Sequence, residues 1–119
     1  MSHAHHIEVQ PAAGHVRVRL DGELLADTHR AQALFEGRLP TRWYIPEEDL
    51  RTELLEPSDA VTTCPFKGQA RYRSARVGER REEAVAWCYD DPLPGVAAIA
   101  GMWSFYQERV DVEVDGEPG

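Results

Sequence analysis

Lysine and cysteine are scarce in this 119-residue chain, which holds one lysine, Lys67, and two cysteines, Cys64 and Cys88. The two cysteines lie far apart and do not form the close pair that is typical of a metal site. We therefore expect neither a metal nor another cofactor. A reduced, cytoplasmic protein is the simplest interpretation, with a single disulfide as the open alternative.

Long apolar runs are also missing. No stretch approaches the ~20 apolar residues of a membrane-spanning helix, and the N-terminus lacks the cationic and apolar regions of a secretory signal. Acidic residues outnumber basic ones by 21 to 13, for a net charge of −8. Nucleic acids and anionic membranes require a basic face, so we expect neither as a partner. A small molecule or a second copy of the chain is compatible with this composition.

The N-terminal segment is polar and carries His3, His5 and His6. Such a cluster can bind a divalent metal, but it is more typical of a flexible terminus. We predict a flexible segment over residues 1–14, one globular domain over residues 15–116 and a short tail over residues 117–119. Residues 7–9 alternate in polarity and suit a short edge strand.

The remaining pattern is that of short strands. Residues 15–20 alternate apolar and basic side chains, and Asp21-Gly22 is a strong hairpin signal. Valines alternate with acids over residues 110–115, which suggests that the last strand lies near the basic first strand. Residues 28–36 suit either a helix or a strand. Turns are predicted at residues 57–59 and 78–83, and short helical turns after Pro46 and Pro94.

This pattern predicts a mainly β fold in a single small domain. We expect a strongly curved antiparallel sheet or an open barrel, with one or two short helical turns.

The stretch over residues 62–68, Thr-Thr-Cys-Pro-Phe-Lys-Gly, predicts a loop of defined shape, because Pro65 restricts the backbone and Gly68 permits a turn. A turn here can bring the Cys64 thiol near the Lys67 ammonium, and a neighbouring cation favours a thiolate. The other interpretation is that Cys64 is a small buried side chain and Lys67 a solvated charge.

Several motifs together resemble one known family. They are Val16-Arg17-Val18, Trp43-Tyr44-Ile45-Pro46-Glu47-Glu48-Asp49, Leu54-Leu55-Glu56-Pro57, Thr63-Cys64-Pro65-Phe66-Lys67-Gly68, Ala86-Trp87-Cys88-Tyr89 and Phe105-Tyr106 with Arg109-Val110-Asp111. In this combination the chain resembles the bacterial and fungal family of domain of unknown function 427 (DUF427), over nearly its whole length.

The resemblance implies a small, mainly β domain related to the β-tent folds, and it brings no established activity. One label of the family suggests nucleotidyl transfer, which requires metal-binding carboxylates and a Gly-Ser turn for the triphosphate. Asp111, Glu113 and Asp115 have same-face spacing, but the chain contains no Gly-Ser pair. The four-cysteine zinc site of β-tent relatives cannot be built from two cysteines.

Aromatic and basic side chains supply the candidate site. Tyr44 and Tyr89 each adjoin a proline-bearing turn and carry a hydroxyl that needs a partner. We predict that they form a binding site with Cys64, Lys67 and Arg109, whereas we expect Trp87 and Phe105 in the core.

Three functions are compatible with these residues. The favoured one is binding of a small anionic or aromatic ligand in a pocket rimmed by the loop over residues 64–68. The first alternative is an enzyme that uses Cys64 or Lys67 in covalent chemistry. The second is a protein-interaction or oligomerisation domain without a ligand.

Overall fold

Ten strands make up most of the fold in the computed structural model, which describes residues 6–115. The strands are β1 (Ile7–Pro11), β2 (His15–Leu20), β3 (Glu23–Thr28), β4 (Gln32–Glu36), β5 (Arg42–Tyr44), β6 (Leu55–Cys64), β7 (Gly68–Val77), β8 (Arg80–Tyr89), β9 (Trp103–Phe105) and β10 (Asp111–Asp115). They form three antiparallel sheets, with the strand orders β1-β4-β5, β10-β2-β3 and β6-β7-β8-β9, and none of the sheets is closed. The predicted mainly β class in a single small domain is confirmed.

Helical structure is limited to 3-10 helices at Glu47–Asp49, Thr52–Leu54 and Pro94–Ile99. The first follows Pro46 and the last begins at Pro94, as predicted from the prolines. Within the described residues, no helix is long and apolar enough to span a membrane.

The hairpin of β2 and β3 forms around Asp21 and Gly22, whose φ angles of 51° and 81° match a tight turn with two left-handed residues. The last strand, β10, pairs with β2, so the predicted proximity of the first basic strand and the last acidic strand is confirmed. Arg17 lies opposite Glu113 and donates a 2.9 Å hydrogen bond to Asp115.

The ambiguous segment over residues 28–36 contains a strand, β4, which pairs with both β1 and β5. Its conformation depends on these two partners, which supply hydrogen bonds that a local sequence pattern cannot reveal. The β1 strand lies inside the segment predicted to be flexible, at the place where residues 7–9 alternate. His3 and His5 lie outside the described residues, as does the predicted tail over residues 117–119, whereas His6 is exposed.

The turn predicted at residues 57–59 is wrong, and the turn predicted at residues 78–83 is confined to residues 78–79, because the third sheet contains irregular strands. Residues 57–59 lie within β6, where the register shifts between Pro57 and Val61. Residues 80–83 belong to β8, and Ala84 takes a φ of 51° within that strand. Such bulges hold turn-forming residues inside a continuous strand while increasing its twist.

Two hydrophobic clusters lie on opposite faces of β8. Ala86 and Cys88 belong to the larger cluster, between this sheet and the sheet of β2. Trp87 and Tyr89 belong to the smaller cluster, together with Tyr44. Because successive strand residues point to opposite faces, β8 separates a mainly aliphatic core from an aromatic one. The aromatic cluster holds the candidate site.

Candidate functional site

The turn between β6 and β7 differs from the predicted loop. Residues 62–64 pair with β7, so only residues 65–67 form the turn, and Cys64 lies opposite Gly68. Gly68 has a φ of 119°, and a Cβ at this position would lie 3.4 Å from the Asp91 carbonyl oxygen. The Leu93 amide donates a 3.0 Å hydrogen bond to the Lys67 carbonyl. The turn is therefore held against the chain that follows β8, and its conformation requires glycine.

Lys67 points inward from this turn. Its Nζ lies 2.5 Å from Glu36 Oε1 at the end of β4. The lysine side chain is 12% exposed and the glutamate side chain 9%, so the ion pair is largely shielded from water. Buried charges of this kind persist only when they are paired.

Beside this ion pair lies a cavity of about 210 Å³. All four tyrosines of the chain line it, together with its single lysine. We call this cavity the tyrosine pocket. Its lining residues are Glu36, Leu39, Pro40, Arg42, Tyr44, Lys67, Tyr72, Trp87, Tyr89 and Tyr106.

Strand register explains why the rings converge. Tyr72 on β7 lies opposite Trp87 on β8, and Tyr89 follows Trp87 by two residues on the same face. Tyr44 ends β5 and reaches the same cluster from the sheet of β1 and β4. Residues that are far apart in sequence therefore line one cavity because three strands present the same face.

The aromatic rings are fixed by direct contacts. The Trp87 indole nitrogen donates a 2.9 Å hydrogen bond to the Tyr44 hydroxyl oxygen, and the two rings meet edge-on. Tyr106 packs against Trp87 with ring centroids 4.5 Å apart. The Arg42 guanidinium lies 5.2 Å from the Trp87 ring centre and donates a hydrogen bond to Gln107. A cation over an aromatic face is attracted by the ring quadrupole.

The hydroxyl groups of Tyr44, Tyr89 and Tyr106 stay protonated at neutral pH. Burial raises the pKa of both Tyr44 and Tyr89 well above the ordinary value. Burial, together with a hydrogen bond to Tyr72, raises the pKa of Tyr106 to about 12. A protonated phenol can donate a hydrogen bond. The Tyr44 oxygen already accepts from Trp87, so its own proton is available to an acceptor.

Tyr89 differs from the other tyrosines. None of the hydrogen bonds between described residues involves its hydroxyl group, although the residue is only 6% exposed and lines the pocket. Buried polar groups normally have a partner. The Tyr89 hydroxyl is thus one of the polar groups of the lining that is available to a ligand.

A family model described as a domain of unknown function (DUF427) matches residues 8–116. The chain belongs to this family. The match covers nearly the whole chain and confirms the resemblance of its motifs. No curated protein matches the sequence.

The DUF427 fold separates the predicted site residues into two groups. Tyr44, Lys67 and Tyr89 line the tyrosine pocket. Cys64 is half-buried against the aromatic cluster but is not among the lining residues. Arg109 lies in an adjoining groove, where its guanidinium is 2.8 Å from Glu82.

Sequence reasoning missed several lining residues of this DUF427 domain. Trp87 is buried as expected, yet one part of its ring faces the pocket, whereas Phe105 lies in the aliphatic core. No local sequence pattern marks Arg42 or Glu36 as lining residues, because the pattern does not show which strand end lies against the turn at Lys67. Tyr72 could have been placed from the sequence, since it follows Ala70 by two residues in an alternating strand and therefore shares its face.

Outside the tyrosine pocket, Cys88 is buried and Glu113 is paired. Burial raises the pKa of Cys88 to about 12, so this thiol is poorly suited to nucleophilic chemistry. Glu113 forms ion pairs with Arg17 and Arg19 on the neighbouring strand. Among residues 6–115, no group of three or more histidines, cysteines and acids is arranged to hold a metal.

Proposed function

We propose that this domain binds a small molecule in the tyrosine pocket, and that the ligand carries one planar ring and an anionic group. The observation that carries the proposal is the cavity that all four tyrosines line, in which the Tyr89 hydroxyl has no hydrogen-bond partner among the described residues. A few polar groups converging on an aromatic cavity are typical of ligand sites.

The size of the cavity limits the ligand. Sites for drug-sized molecules enclose roughly 300–1,000 Å³, and the tyrosine pocket encloses about 210 Å³. A single ring with one small substituent is therefore the appropriate class. The flat faces of Trp87 and Tyr106 favour a planar group, since aromatic pairs contribute beyond the area they bury.

The charge of the lining favours an anion. Among the lining residues, Arg42 and Lys67 are positive and Glu36 is negative, while Glu108, the acidic partner of Arg42 at 3.6 Å, lies outside the lining. Arg42 also occupies the place over the Trp87 and Tyr106 rings that a cationic ligand would need. A cation would meet repulsion from both basic groups, whereas a carboxylate can accept hydrogen bonds from Tyr89 and Arg42.

The two alternative functions have less support. An enzyme that uses Cys64 requires this thiol in the cavity, but its side chain does not line the pocket. An enzyme that uses Lys67 as a nucleophile requires a free amine, whereas Lys67 Nζ is engaged by Glu36 Oε1 at 2.5 Å. An interaction domain without a ligand does not account for the convergence of four tyrosines on one cavity.

Three ring compounds of similar size test the proposal: benzoate, benzamide and benzylamine. Only three tryptophans contribute indole N–H signals to an NMR spectrum, and the Trp87 signal is assigned with Trp87→Phe. We expect benzoate to shift the Trp87 signal in a saturable titration, benzamide to bind more weakly and benzylamine to leave it unchanged.

Arg42→Met and Tyr89→Phe should each weaken benzoate binding, by about tenfold for the charged group. Arg38→Met is the matched control, because it removes the same charge from an exposed position outside the pocket lining. Absence of a Trp87 shift with millimolar benzoate, or an equal loss with Arg38→Met, would contradict the proposal.

A further inference from the structure

A second opening adjoins the tyrosine pocket. It encloses about 510 Å³, and its floor includes Ala60, Thr62 and Ala84. Tyr72 and Tyr106 line both spaces. We call this second space the alanine groove. Two residues therefore form a wall of each space.

Strand geometry places the two spaces in line. On β8, Tyr89 and Trp87 line the pocket and Ala84 lines the groove. Ala84 takes a positive φ, so the regular spacing of the strand is interrupted between the two sets of residues. Lys67, next to Gly68 at the start of β7, lines the pocket and not the groove. The two spaces thus follow each other along β8.

The chemistry changes from the pocket to the groove. Hydrogen-bond donors and the Lys67 ammonium lie at the pocket end, whereas methyl groups and ring edges line the groove. Two charged residues that line the groove are paired, since Arg109 lies 2.8 Å from Glu82 and Glu108 lies 3.6 Å from Arg42 of the pocket lining. The groove therefore offers apolar contact without an unpaired charge.

We propose that the ligand has two parts, an aromatic acid in the tyrosine pocket and an unbranched apolar chain along the alanine groove. This inference rests on the proposed function and adds the ligand class. A chain opposite the acid group on the ring satisfies the linear geometry, so a 4-alkoxybenzoate matches the surface. Its carboxylate lies toward Lys67 and Tyr89, and its chain passes Tyr72 and Tyr106.

A chain-length series tests this inference. Dissociation constants are measured by calorimetry and by the Trp87 indole shift for benzoate and for 4-methoxy-, 4-butoxy- and 4-hexyloxybenzoate. Full burial of a methylene strengthens binding by about fourfold, and an open groove buries only part of it. We expect about twofold tighter binding per methylene up to the length of the groove.

Ala60→Glu places a charge in the groove, outside the lining of the pocket. It should remove the gain with chain length while benzoate binding stays unchanged, which also shows that the variant is folded. Val61→Glu is the matched control, because Val61 is 58% exposed and lines a different opening with Arg71. Ala84→Asn is a second groove variant, since Asn tolerates the positive φ of this position.

The outcomes separate the two proposals. Benzoate binding without any gain from longer chains overturns the two-part ligand and leaves the proposed function standing. A gain that survives both Ala60→Glu and Ala84→Asn overturns the two-part ligand as well, because the chain then lies elsewhere. Failure of every compound to shift the Trp87 signal overturns both proposals.

Discussion

The indole nitrogen of Trp87 donates a 2.9 Å hydrogen bond to the hydroxyl oxygen of Tyr44. Trp87 lies on β8 and Tyr44 on β5, so the bond joins two different sheets inside the aromatic cluster. It satisfies the indole donor and fixes two walls of the tyrosine pocket in one relative orientation. The following predictions concern this pocket and its supports.

Removing the Tyr44 hydroxyl should destabilise the protein more than removing the Tyr89 hydroxyl. Tyr44→Phe leaves the buried Trp87 donor unsatisfied, at a cost of about 1–3 kcal/mol. Tyr89→Phe breaks no hydrogen bond between described residues, so its effect should stay within about 0.5 kcal/mol. Urea unfolding of both variants measures the difference, and equal losses would contradict the assigned roles.

Lys67→Met should destabilise the protein by about 3–5 kcal/mol, because it leaves the nearly buried Glu36 carboxylate without its lysine. The double variant Lys67→Met/Glu36→Gln should cost less than the sum of the two single substitutions, since no charge then remains buried. A thermodynamic cycle from urea unfolding measures the coupling. Additive losses would mean that the two groups do not stabilise each other.

Alkylation should distinguish the two cysteines in the folded protein. Burial raises the pKa of Cys88 to about 12, so roughly one part in ten thousand is thiolate at pH 8. Mass spectrometry after iodoacetamide treatment should find the label on Cys64, which is half-buried, and on Cys88 only after unfolding. Cys64→Ser and Cys88→Ala supply the single-cysteine controls. Comparable native rates at both positions would contradict the assigned burial of Cys88.

Asp49 should stabilise the fold at neutral pH but not in acid. Burial by itself would raise the pKa of Asp49, but hydrogen bonds from Thr28 and Arg30 lower it below its ordinary value. A carboxyl group with a lower pKa in the folded state contributes stability above its unfolded pKa of about 3.9, and this contribution is lost as the pH falls through the folded value.

Asp49→Asn should therefore cost about 1–3 kcal/mol at pH 7, and the difference from the natural sequence should shrink progressively below about pH 4. Unfolding free energies measured between pH 7 and pH 2.5 check this, with Asp59→Asn, at an exposed position, as the control. A difference that is independent of pH would show that Asp49 acts through packing alone.

Local sequence patterns determined the β2–β3 hairpin, in which the paired strands follow each other directly in the sequence. The β2–β3 hairpin is encoded in alternating residues around Asp21-Gly22, where two consecutive left-handed residues fix the turn. The pairing of β2 with β10 was also readable, because a basic face and an acidic face mark the two strands. Fold class and family membership came from these patterns and from the motifs spread over the chain.

Tertiary structure alone decided the strand β4, the bulges of β6 and β8, and the composition of the pocket. Residues 32–36 become a strand because β1 and β5 pair with them, and neither partner is visible in a local window. Lys67 was readable as an unusual residue, but Glu36 became its partner only through the packing of a turn against a distant strand. The sequence thus marked Lys67 and the tyrosines as unusual side chains, whereas long-range strand pairing decided which residues meet.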